Sequence, residues 1–97
     1  MSDRPTSGEF RIINALGLHA RAAAKLVAAA KRFAADVWVG KDGEEVNGKS
    51  ILAVMTLATP VGTTISLRCD GDDARDAFAA LAELVRDGFG ELAEDLP

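Results

Sequence analysis

The spacing of apolar residues switches between a period of two and a period of three to four along this chain, and each switch marks an element. Glu9 to Asn14 (EFRIIN) sets Phe10 and Ile12 on one side and Arg11 on the other, which predicts a first strand, although Ile13 blurs the alternation. From about Ala20 to Ala34, the residues Ala23, Leu26, Val27, Ala30, Phe33 and Ala34 recur at helical spacing, while Lys25, Lys31 and Arg32 fall elsewhere. Asp36 to Lys41 (DVWVGK) and Glu44 to Asn47 (EEVN) flank Asp42 and Gly43, a dipeptide suited to a two-residue hairpin turn. Ser50 is a good N-cap for the apolar stretch ILAVMTL, which predicts roughly two helical turns ended by Pro60 and Gly62. Thr63 to Cys69 alternates Ile65, Leu67 and Cys69 against Thr64, Ser66 and Arg68, the pattern of a strand with one buried face. Asp72 and Asp73 then open a third helix, whose stripe is Ala74, Phe78, Leu81, Ala82, Val85 and Phe89 and whose fraying end is marked by Gly88 and Gly90.

The order βαββαβα predicts an α+β fold, an open-faced sandwich in which a four-stranded antiparallel sheet carries three helices on one face. Trp38 is out of step with Val37 and Val39, which places it on the open face or at an edge. The expected domain spans residues 9–90, between a flexible N-terminal arm (1–8) and a mobile acidic tail (91–97).

Ninety-seven residues suffice for one modest core. A net charge of −4 speaks against nucleic acid as the main partner. A single cysteine, Cys69, excludes an intramolecular disulfide and leaves no structural zinc site. No apolar run reaches membrane-spanning length and no charged-then-apolar leader follows Met1, so a cytoplasmic protein without membrane insertion is expected.

Candidate chemistry concentrates at His19, the only histidine, where a glycine-bearing loop runs into the alanine-rich helix. Such a residue is often merely a cap or a packing group. Its neighbours favour chemistry: Gly17 allows a sharp turn and leaves space beside the ring, Leu18 anchors the loop, and Arg21 falls on the first helical turn. Unpaired N–H groups at a helix start hold anions, so Gly17, Ala20 and Arg21 are the expected phosphate-binding positions around His19. The helix dipole disfavours imidazolium and should keep the ring a neutral nucleophile. A nucleotide-binding glycine loop, a serine or cysteine nucleophile paired with a second base, and a metal-ligand cluster are all missing from the sequence, so neither a metal nor a cofactor is expected.

GLHARAAAKL followed by GKSILAVMTL resembles the HPr family, the histidine-containing phosphocarriers of the bacterial phosphoenolpyruvate-dependent phosphotransferase system, over about Phe10 to Phe89. The resemblance implies that His19 takes a phosphoryl group on Nδ1 from phospho-enzyme I and passes it to IIA-type components of a sugar phosphotransferase system. Such a protein is a stoichiometric carrier rather than an enzyme. Arg21 matches the family's active-site arginine and Asn14 an asparagine near the loop. Ala22 stands where the family usually has proline, which should preserve the helix while slightly loosening its start. That departure leaves open a regulatory paralogue, such as the carrier of a nitrogen-related branch.

Ser50 reads as an ordinary N-cap, while the resemblance implies that a serine kinase/phosphorylase could act on it. Ile51, Leu52 and Met55 are expected to form an apolar docking surface edged by the positive charge of Arg21, Lys25 and Lys49, grouped near one end, with partners offering acidic residues around an apolar groove. A monomer is expected. Two other classes compete with the carrier: a regulatory docking module controlled through Ser50, and a small α+β ligand-binding domain, which explains the fold but neither motif.

Overall fold

A computed structural model describes residues 5–92. Its elements are β1 (Thr6–Arg11), α1 (Ala20–Ala30), β2 (Asp36–Lys41), β3 (Glu44–Asn47), α2 (Ile51–Met55), β4 (Thr64–Asp70) and α3 (Ala74–Arg86), with a 3₁₀ turn at Gly88–Gly90. The four strands form one antiparallel sheet in the order β1-β4-β2-β3. The expected α+β sandwich is therefore the observed fold.

Alternation decides which sheet face is buried. Val37 and Val39 of β2 and Ile65, Leu67 and Cys69 of β4 point into the core, where they meet Leu26 and Val27 of α1 and Leu81 and Val85 of α3. Trp38, between two buried valines, lies on the open face, and the Arg68 guanidinium stacks over its ring at 5.4 Å. Arg68 is in turn held by two hydrogen bonds to Glu45, at 3.0 and 2.8 Å, so a polar lattice replaces packing on that side. Among the described residues no helix is long and apolar enough to cross a membrane.

Several boundaries differ from the sequence pattern: β1 ends at Arg11 rather than Asn14, α2 ends at Met55 within the stretch ILAVMTL, and β4 is shifted by one residue to Thr64–Asp70. The first strand begins at Thr6 rather than Glu9, so Thr6 to Gly8 belong to the sheet and not to a flexible arm; residues 1–4 lie outside the described part. Its inward positions are Thr6, Gly8 and Phe10, only one of them a strong apolar signal. Helix α1 stops at Ala30 instead of Ala34, because the next backbone N–H groups of Arg32 and Phe33 bond three residues back, tightening the chain into turns. The end of α3 does not fray. Gly88 (φ 61°), Phe89 (φ 57°) and Gly90 (φ 74°) form a left-handed turn that buries Phe89.

Candidate functional site

The loop between β1 and α1 is fixed from both sides. Ile12 exchanges backbone hydrogen bonds with Thr63 and Gly62, and Leu18 N donates to Thr59 O at 2.9 Å. Gly17 occupies φ +69°, and a Cβ there would sit 2.5 Å from Thr59 O. Only glycine fits this crossing. Asn14, fully buried, closes the loop by donating from Nδ2 to Gly17 O at 2.7 Å.

This scaffold delivers His19 to the N-cap position of α1 with extended backbone, and its side chain makes no capping bond. The first helical hydrogen bond runs from Ala23 N to His19 O at 2.8 Å, so the N–H groups of Ala20, Arg21 and Ala22 precede the helical ladder. The imidazole is 26 % exposed, enough for another protein to reach it.

Sequence reasoning missed the group that faces the ring. Glu91, assigned above to a mobile tail, is buried inside the domain, and its Oε2 lies 2.7 Å from His19 Nε2. Its Oε1 accepts from Asn14 Nδ2 at 2.9 Å, and Arg21 Nε lies 3.6 Å from Oε2. The tail boundary at 91 is thus wrong for Glu91, while residues 93–97 lie outside the described part. Burial pushes the Glu91 carboxyl up, but the hydrogen bonds from Asn14 and His19, with the charges of His19 and Arg21, outweigh it and hold the group below its ordinary value.

An ionised carboxylate only accepts hydrogen bonds. A proton on His19 Nε2 would complete the 2.7 Å contact as a hydrogen bond to that carboxylate, and in a neutral ring so protonated the lone pair resides on Nδ1. The helix dipole alone, invoked from the sequence, does not describe the ring's electrostatics, because a carboxylate also lies against it. Glu91 follows the third helix by only a few residues, yet nothing in GFGE signals that its backbone returns to His19. The only clue was Phe89 at core spacing.

The remaining sequence-derived positions separate into two groups. Ser50 caps α2, its Oγ accepting from Ala53 N at 3.2 Å. Behind it Ile51, Leu52 and Met55 are exposed while Val54 and Leu57 are buried. The two lysines do not form a common rim. Lys25 Nζ donates to Phe89 O at 2.7 Å, tying α1 to the C-terminal turn. Lys49 Nζ donates to Phe33 O at 2.8 Å, beyond the far end of α1 from His19. At about 1.5 Å per helical residue, α1 separates these lysines, so the expected grouping of Arg21, Lys25 and Lys49 at one end is not formed. Among the described residues no cluster of His, Cys, Asp or Glu could hold a metal ion.

The sequence profile described as the PTS HPr component phosphorylation site matches residues 6–87. A phosphocarrier protein HPr from Neisseria meningitidis serogroup A is 50% identical over 82 residues, covering 84% of this chain and 92% of the relative. The HPr-like protein Crh of Bacillus subtilis is 45% identical over 71 residues, covering 73% of this chain and 84% of its own. A crystal structure of an HPr from Thermoanaerobacter tengcongensis superposes with a TM-score of 0.86 at 41% identity, covering 89% of this chain and 97% of that one.

Proposed function

We propose, for a chain that belongs to the HPr family of phosphocarrier proteins, that His19 receives a phosphoryl group from phospho-enzyme I and hands it to IIA-type acceptors of a sugar phosphotransferase system. The observation that carries this reading is the placement of His19: a partly exposed imidazole at the mouth of α1, ahead of three N–H groups outside the helical ladder. These N–H groups and the Arg21 guanidinium would stabilise the charge of the bound group. The protein acts stoichiometrically in the cytoplasm, turning over only in company with a donor and an acceptor, and needs no cofactor of its own.

Incubation with phosphoenolpyruvate and enzyme I should add one phosphate that is acid-labile and base-stable, read by intact mass. It should vanish in His19→Ala. Folded protein that gains no phosphate, or gains it undiminished without His19, refutes the reading.

A regulatory second reading draws on Ser50, whose hydroxyl caps α2 at the edge of the exposed apolar residues, and on the likeness to Crh. There Ser50 phosphorylation by a serine kinase would govern docking. A regulatory branch, nitrogen-related or otherwise, differs from the sugar carrier in its acceptor, so pull-down of phosphorylated protein with candidate IIA components separates the two.

A further inference from the structure

The GFGE segment carries more backbone strain than a tail requires. Three successive residues, Gly88 to Gly90, take positive φ, and one of them is Phe89, for which that conformation costs on the order of 1 kcal/mol. The turn is locked by Phe89 in the core, by Lys25 Nζ on Phe89 O at 2.7 Å and by Glu91 N on Gly88 O at 2.9 Å. Its product is a carboxylate whose side chain is only 1% exposed. Isolated, such a charge would cost several kcal/mol. Here each oxygen has a polar partner: Oε1 accepts from Asn14 Nδ2, and Oε2 lies 2.7 Å from His19 Nε2. Asn14 cannot turn its amide over without setting Oδ1 against Gly17 O and Glu91 Oε1, so its orientation is fixed, and it fixes Glu91 in turn.

We infer that Glu91 is the positioning residue of the phosphoryl acceptor: through the chain Asn14–Glu91–His19 it keeps the proton on Nε2 and presents the Nδ1 lone pair outward. This rests on the reading of His19 as the acceptor. In the step itself the Nδ1 lone pair forms the new N–P bond, while the bond from phosphorus to its donor breaks and its electron pair leaves with the donor. Nε2 keeps its hydrogen throughout. The ring becomes a phosphorylated imidazolium, and the Glu91 carboxylate, already in contact, pairs with that charge. On transfer onward the N–P electron pair returns to Nδ1 and the ring is neutral again, still oriented.

With one histidine in the chain, ¹⁵N-imidazole NMR sees a single ring. At a pH where the ring is neutral, wild-type protein should show the Nε2–H tautomer alone. Glu91→Ala should show both tautomers and a rate of transfer from phospho-enzyme I lower by about tenfold, the lower end of what loss of a histidine-orienting partner costs elsewhere. Glu91→Gln keeps a carbonyl acceptor for Nε2–H and should recover the single tautomer and the larger part of the rate. An Nδ1–H tautomer in the wild type overturns the inference, whatever the variants do. So does a folded Glu91→Ala protein that transfers at the wild-type rate. Should Glu91→Ala not fold, the wild-type tautomer and the Glu91→Gln rate decide. Absence of phosphate on wild-type His19 would instead refute the acceptor reading, a separate result.

Discussion

At the scale of single residues, Gly17 and Asn14 show how a loop without regular structure becomes rigid enough for chemistry. Gly17 meets the backbone of Thr59 and Pro60 at distances no Cβ tolerates, and its φ of +69° already disfavours a side chain. Gly17→Ala should therefore destabilise the domain by at least about 2 kcal/mol, the sum of a left-handed alanine and an overpacked crossing. Urea denaturation checks this, and a loss under 0.5 kcal/mol would mean that the loop simply moves aside. That glycine was legible because sharp turns select it. Glu91 was not: an acidic residue after a helix end, between glycine and LAEDLP, has the composition of a solvated tail. Its carboxylate meets His19, 72 residues earlier, and no local pattern encodes that distance.

Elements are joined here by side chains that reach across loops. Asp73, which the sequence marks as a helix-opening acid, makes no side-chain cap on α3; its carboxylate accepts from Ala34 N at 2.9 Å and Ala35 N at 2.8 Å and so ties the α1–β2 connection to α3. The Ala34 bond first, then that of Ala35 and the charge of Lys49, hold the Asp73 carboxyl below its ordinary 3.8 despite some loss of hydration. Because the folded value is the lower one, this contribution is present above the unfolded pKa and is lost as pH falls through the folded value. Asp73→Asn should accordingly flatten the acid limb of the stability curve below about pH 4 and leave its shape near neutrality unchanged, as thermal melts across pH will show. Ser50 is the simpler case, since its role as a cap was readable from position alone. Ser50→Ala should cost about 1 kcal/mol. Ser50→Asp keeps an acceptor for Ala53 N but adds a charge beside Ile51 and Leu52, so it should retain the melting temperature while weakening enzyme I binding severalfold in calorimetric titration. Unchanged affinity would make Ser50 a cap and nothing more.

For the whole molecule, the amphipathic pattern determined the layered fold, because alternation in β2 and β4 and the stripes of α1 and α3 share one core. It could not determine which apolar residues face partners, since α2 is short and carries four large apolar residues in five positions. Packing resolves them: Val54 is 1% exposed and Leu52 80% exposed, two positions apart on the same helix. This contrast separates stability from recognition in a single pair of substitutions. Val54→Ala removes two buried methyl groups and should destabilise the fold by roughly 1–2.5 kcal/mol, with enzyme I affinity unchanged at temperatures where the protein remains folded. Leu52→Ala removes nothing from the core and should shift stability by less than about 0.5 kcal/mol. If the exposed face of α2 is what a donor or acceptor buries, the same substitution should weaken binding by about 1–2 kcal/mol, five- to thirtyfold, with most of the change in the dissociation rate. Raising salt should affect this loss little, because Lys25 and Lys49 are held by backbone carbonyls on either side of α1 and form no charged rim around Leu52. A Leu52→Ala protein that binds enzyme I and IIA components as tightly as the wild type would place the docking surface elsewhere, and the exposed residues Leu16 and Val61 on the two loops that meet at Gly17 would be the next positions to truncate.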